Sequence, residues 1–157
     1  MNRILSELKT KLSTAIGSNL IKSYYQGEVV VVPQSYLPAL MIFGNSTEVV
    51  AKSTAKDQYK YDITIRVVID LKAYLSEAGT GDTIKAQQAI INLMEERNTN
   101  GTLKTTTVLG TLRANIRGTD WLFNNDITIQ YKTIQRGEFF YYQADCNLTA
   151  TTDLLTR

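Results

Sequence analysis

Tyr59-Lys-Tyr-Asp-Ile-Thr-Ile-Arg-Val-Val-Ile-Asp70 is the stretch on which the fold turns. Its odd positions hold Tyr59, Tyr61, Ile63, Ile65, Val67 and Ile69, and its even positions hold Lys60, Asp62, Thr64, Arg66, Val68 and Asp70. Side chains of a strand alternate between two faces, so this pattern predicts one apolar face and one mostly polar face. The β-branched and aromatic content favours the same reading. The stretch is therefore expected to be a central strand, with the other elements built around it.

Upstream, Ile4, Leu5, Leu8, Leu12, Ala15 and Ile16 recur at helical spacing, and Glu7 stands four before Lys11 in the favourable order. A helix over Arg3 to about Asn19 follows, with Gly17 and Asn19 as stop signals and 20–26 open between helix and link. The valines of Glu28 to Val32 predict an extended piece ending at Pro33, and Ala39 to Phe43 a second one after Pro38. The two prolines are expected to keep Gln34 to Leu37 out of any helix. Asn45 to Asp57 is small and polar apart from Val49 and Val50, and reads as a long hairpin loop with room for a short strand at Glu48 to Lys52.

Downstream, Glu77 to Asp82 reads as a loop, with Asp82 or Thr83 capping a helix over roughly Thr83 to Glu96. Asn100 or Gly101 suits its exit. The threonines of Leu103 to Arg117 lean towards a strand, interrupted by a bulge at Gly110, with a turn at Gly118 to Asp120. Asn125 to Ile134 and the set Phe140, Tyr142, Ala144, Cys146, Leu148 and Ala150 predict an antiparallel hairpin turning at Arg136-Gly137. The sum is an α+β chain: a single mixed or antiparallel β-sheet with two helices packed on one face, over one domain spanning 1–157. The second helix is expected to cross over between the central and threonine-rich strands, right-handed if these are parallel.

At 157 residues, 43% hydrophobic and 20% charged, the composition is that of an ordinary globular domain. A net charge of +2, with both signs interspersed, argues against a nucleic-acid-binding face. Charges break the N-terminal run, and no apolar stretch is long enough to span a bilayer, so a cytosolic, soluble chain is expected. The lone Cys146 falls on the apolar side of a strand pattern and reads as a small core residue.

There is no histidine, which removes the commonest general base and metal ligand, and with one cysteine no zinc set or thiol–imidazole pair can form. Gly79-Thr-Gly81 precedes a helix but lacks the spacing of a phosphate-binding loop. Glu95 and Glu96 are adjacent, cannot share a helix face, and read as a solvated terminus. Phe139-Phe-Tyr-Tyr142 lacks the basic neighbours of a base-stacking platform and reads as alternating core and rim positions. No catalytic residue, cofactor or metal is expected. Nine tyrosines, and threonines on strand faces that one helical layer cannot cover, point instead to protein interfaces. The candidate assembly surface is the 45–57 segment, with Val49 and Val50 as anchors and Lys52 and Lys56 as rim, together with Asp62 and Arg66 on the polar strand face. That segment is expected to order only against a neighbour.

The N-terminal amphipathic helix (Ile4, Leu5, Leu8, Leu12), the segment Tyr36-Leu-Pro-Ala-Leu-Met-Ile42, the strand Tyr59 to Asp70, the helix Thr83 to Glu96 and the hairpin Ile127 to Ala150 together make a layout. This layout resembles that of the tail terminator proteins of long-tailed bacteriophages. The resemblance covers nearly the whole chain and rests on order of elements rather than on a motif. It implies a homohexameric ring at the head-proximal end of the tail, ending polymerisation of the tail tube protein and docking to the head connector. It implies a virion location after assembly in the host cytoplasm, no enzymatic activity, no cofactor, no membrane, and DNA passing through the lumen without specific binding. A related neck or tail-completion protein has the same layout. The competing reading is a small cellular α+β module using its sheet face as a ligand cleft, for which a monomer with a deep apolar pocket is the discriminating observation.

Overall fold

The computed structural model describes residues 1–53, 56–74, 83–115, 118, 121–124 and 126–155. The chain runs α1 (Asn2–Ile16), β1 (Ser23–Gln26), β2 (Ala39–Ser53), β3 (Lys56–Asp70), α2 (Thr83–Glu95), α3 (Val108–Ala114), β4 (Leu122–Phe123), β5 (Thr128–Arg136) and β6 (Phe139–Leu155). Its single mixed sheet has the order β1-β2-β3-β6-β4, with β5 also on the outer edge of β6. Only β1 and β2 are parallel; β2–β3, β3–β6, β4–β6 and β5–β6 are antiparallel. The α+β expectation holds, with three α-helices rather than two among the described residues.

β3 is central, as its alternation requires. Tyr61, Ile63, Ile65, Val67 and Ile69 are buried with Leu40 and Ile42 of β2 and with Tyr142, Ala144, Cys146, Leu148 and Ala150 of β6. Ile4, Leu5, Leu8, Leu12 and Ile16 of α1, Ala86, Ile90 and Met94 of α2, and Val108 and Leu112 of α3 close over this face. Each fully buried Leu or Ile contributes roughly 1.5–3 kcal/mol of burial, which is why the stripe of α1 decides where that helix lies. Trp121 anchors the layer by donating its indole N–H to Glu7 at 2.8 Å. The helix stops at Gly17, whose φ of 80° suits glycine.

Several sequence expectations are corrected. The described part of the expected strand Leu103 to Arg117, residues 103–115, is no strand: Thr107 accepts the Gly110 N–H at 3.1 Å as an N-cap, and Val108 and Leu112 bury one helical face. The threonines favour extended backbone by propensity, but Thr107 acts as cap, and the Thr111 hydroxyl bonds the Thr107 carbonyl at 2.8 Å. Gly110 is thus a helical close-approach residue, not a bulge. The parallel crossover falls with that strand, because β3 has antiparallel neighbours on both sides.

The valine-rich piece 28–32 carries no strand; the strand is β1, just before it. Residues 28–38 instead fold over the opposite face of the sheet, where Val32 and Leu37 bury against Ala39, Met41, Val68 and Tyr141. The Tyr141 hydroxyl donates to the Val32 carbonyl at 3.0 Å. Between the prolines lies one 3-10 turn, Gln34–Tyr36, where no helix was expected. The last correction concerns 45–57: residues 45–53 are no loop but the continuation of β2, and Lys56 and Asp57 begin β3, with 54–55 outside the described residues.

The closing hairpin forms in the expected register, turning at Gly137 with φ 60°. Phe140 is an exception in its apolar set, being exposed. Cys146 lies under the helices, fully buried, and burial pushes its thiol up to about 12. Alkylation of the native protein at neutral pH is therefore expected to be far slower than alkylation in denaturant, as mass spectrometry over a time course will read. Comparable rates would mean that this strand register is wrong. The expected loops at Glu77–Asp82 and Gly118–Asp120, including Gly79 and Gly81, fall largely outside the described residues. No helix among the described residues is long and apolar enough to cross a membrane.

Candidate assembly interface

The helix-free face of the sheet changes character along β3. At the Asp70 end it is apolar and covered by 28–38, with Val68 buried. One rung further, Arg66 Nε donates to Asp145 Oδ1 at 2.6 Å and Nη2 donates to Oδ2 at 3.2 Å, across the β3–β6 pair Arg66↔Asp145. Its third nitrogen pairs with Glu28, and its guanidinium lies 5.0 Å from the centroid of the Phe43 ring. Lys132 Nζ reaches Asp145 at 3.0 Å, and the Gln143 amide donates to both oxygens of that carboxylate. Asp145 thus anchors a network that closes the sheet face without an apolar cover.

Burial alone would raise the Asp145 pKa, but the hydrogen bonds and charges of Arg66 and Lys132 outweigh it and hold the carboxyl below its ordinary value. For Arg66 burial works against the charge, and its two carboxylate partners again win, so it is held more firmly protonated than usual.

Towards the far end the face becomes hydrophilic rung by rung. The Asn45 amide donates to Thr64 Oγ1 at 2.7 Å, and that hydroxyl donates to Asn147 Oδ1 at 2.6 Å. Asp62 accepts from Ser46 and from Thr149, the latter at 3.0 Å. Lys60 pairs with Glu48 at 3.2 Å, both well exposed. Glu48, Lys60, Asp62, Leu122, Phe123, Asn124, Thr149 and Thr151 line an open cleft of about 500 Å³ here, its walls part polar and part apolar.

Beyond Tyr61 the sheet continues as a narrow arm of β2, β3 and the end of β6, pairing as far as Ser53↔Lys56 and Lys56↔Leu155. The helices do not reach it: Thr47 and Val49, on the helix side, are exposed, Val49 by 53%. Tyr59 and Tyr61 stack with centroids 6.1 Å apart and form the last partial cover. A two-stranded ribbon this long is marginal in water, so the third strand is what makes the arm stand.

The candidate residues therefore divide. Val49 and Val50 lie in the arm on opposite faces, paired with Tyr59 and Gln58, so they cannot act as one anchor. Lys52 and Lys56 lie in the same ribbon, with side chains outside the described residues. Asp62 is exposed at the base of the arm. Arg66 shares that face and is bound within the subunit to Asp145 and Glu28, its side chain 13% exposed. Sequence reading missed Asp145, Gln143, Lys132 and Glu28. The alternation of β6 held part of the signal, since Gln143, Asp145, Asn147 and Thr149 are its polar half, but only the register pairs them with β3. Glu95 and Glu96 are not merely solvated: Tyr131 donates to Glu95 at 2.8 Å, and Lys104 pairs with Glu96.

Among the described residues no cluster of Asp, Glu and Cys could hold a metal ion. No protein-family model matches the chain, and no curated protein matches it either.

Proposed function

We propose that the protein is a structural subunit of a bacteriophage virion, a tail terminator that forms a ring at the head-proximal end of the tail. In this reading six copies close into a ring that ends polymerisation of the tail tube and docks to the head connector, with no catalytic role. The observation that carries the assembly part is the arm: a three-stranded extension of the central sheet that leaves Thr47 and Val49 of β2 exposed on the helix side, with no strand on the outer edge of β2 there among the described residues. Closed cyclic symmetry satisfies such surfaces without open-ended growth. The terminator role itself is supported by the order of elements: N-terminal helix, hairpin, mid-chain helix and closing hairpin.

Native mass spectrometry over a concentration series, alone and with tail tube protein, tests this. A single closed oligomer, with six copies expected, that binds the tube end and halts its growth supports the proposal. A strict monomer in both samples overturns it. A ring that binds the connector but never the tube would move it to an adjacent neck position.

A further inference from the structure

Residues 28–37 lie across the helix-free face at the Asp70 end of β3, and among the described residues no backbone hydrogen bond ties them to the sheet. Their own backbone bonds are the two of the 3-10 turn, from the Tyr36 N–H to the Pro33 carbonyl and from the Leu37 N–H to the Gln34 carbonyl. The chain is pinned just outside the segment: the Gly27 N–H donates to the Ile42 carbonyl and the Lys22 N–H to the Pro38 carbonyl, each at 2.8 Å. Side chains hold the rest. Glu28 pairs with Arg66, the Val29 N–H meets Met41 Sδ at 3.5 Å, and the Tyr141 hydroxyl reaches the Val32 carbonyl. The Gln34 amide donates to Asp70, and the Ser23 hydroxyl donates to the Tyr36 carbonyl at 2.7 Å. Val32 and Leu37 are buried, whereas Val30, Val31 and Tyr36 are exposed.

We infer that residues 28–37 form a strap that lifts off the sheet as one unit while the helix-covered core stays folded. The two apolar clusters are separate, Ala39, Met41, Val68 and Tyr141 lying under the strap and the remainder of the core under the helices. Lifting breaks no strand ladder. It strands no buried charge either, because Arg66 keeps both Asp145 oxygens, and Glu28, with its side chain 45% exposed, turns to water. Closure is loose as well: a cavity of about 10 Å³ remains under the strap, lined in part by Val29, Val32, Met41, Val68 and Tyr141. Segments held by few buried apolar contacts open at lower free energy than the whole fold. Opening brings a second apolar face to the surface, beside Phe139, which is already exposed and stacks on Tyr141. The inference does not depend on the assembly reading.

The Met41 sulfur reports the strap directly, since the Val29 amide covers it. Dilute hydrogen peroxide passes one oxygen to a thioether and leaves as water, giving the sulfoxide. Met41 is 1% exposed and Met94, under the helices, 0%, so the closed fold shields both alike. In the wild-type protein the initial rate of sulfoxide formation, read by peptide mass spectrometry, should be about tenfold or more higher at Met41 than at Met94. Tyr141→Phe and Glu28→Gln each remove one tie, and each should raise the Met41 rate about twofold or more while the Met94 rate stays as it was. Equal rates at the two methionines would mean that the strap leaves only when the whole chain unfolds, which overturns the inference. A Met41 rate that neither variant changes overturns it too, because peroxide would then reach the sulfur past a closed strap.

Val68→Cys gives an independent reading, placing a thiol under the strap in the same molecule as Cys146 beneath the helices. Alkylation should reach position 68 about tenfold or more faster than Cys146. A common rate at both thiols would again leave no separate opening of the strap.

Discussion

Replacing Asp145 with alanine is expected to cost about 3 kcal/mol, the low end for breaking a buried ion pair, and to lower the melting temperature by roughly 6–12 °C for a domain of this size. The carboxylate is 7% exposed and serves Arg66, Lys132 and Gln143 together. Its removal leaves the Arg66 guanidinium, 13% exposed, facing only Glu28 and the Phe43 ring. Lys132, at 45% exposure, can turn to water and adds little to the cost. Asp145→Asn keeps one acceptor and the shape, so its loss should be smaller.

The same group sets an acid dependence. A carboxyl whose folded pKa is depressed stabilises the protein above its unfolded pKa, and that stability is lost as pH falls through the folded value. The Asp145 contribution should thus be fully present at neutral pH and disappear below its ordinary value of 3.8. Thermal denaturation of wild type and Asp145→Asn at several pH values checks this. The gap between their melting temperatures should narrow on acidification, and a constant gap would show that charge is not the cause.

Gly110→Ala is expected to destabilise by about 1–3 kcal/mol or more, although alanine is the better helix former by roughly 1 kcal/mol. The reason is distance. A Cβ at position 110 would sit 2.0 Å from the Lys104 carbonyl oxygen and 2.9 Å from the Thr107 hydroxyl. The first is backbone, which cannot swing aside, and the second belongs to the cap that starts α3. Relief would require pulling α3 away from the 104–107 turn and disturbing Val108 and Leu112 in the core. Urea denaturation decides the sign: a variant as stable as wild type or more so would mean that α3 does not approach Lys104 this closely.

Periodicity makes the core legible from the sequence alone. The alternation of 59–70 and of 140–150 places both strands and their buried faces, and the stripe of Ile4, Leu5, Leu8 and Leu12 places the first helix, because burial of apolar side chains repeats with the element's own period. The absence of histidine and the single cysteine likewise narrow the available chemistry from composition alone. Where local signals compete with packing, reading along the chain fails. The threonines before Gly110 favour strands as isolated residues, yet one of them caps a helix whose two apolar side chains find the core. The valines of 28–32 look like a strand, but Val32 and in part Val29 cover Met41, Val68 and Tyr141, distant in sequence, while Val30 and Val31 stay exposed. The polar residues of 45–57 resemble a loop because small hydrophilic side chains suit either state. Those of β2 are held extended by pairing with β3, which β6 in turn backs from some ninety residues away, a partner that no local pattern announces. Register is the common cause: it brings Arg66 to Asp145 and sets β2, β3 and β6 together in the arm, and it exists only once the strands lie side by side.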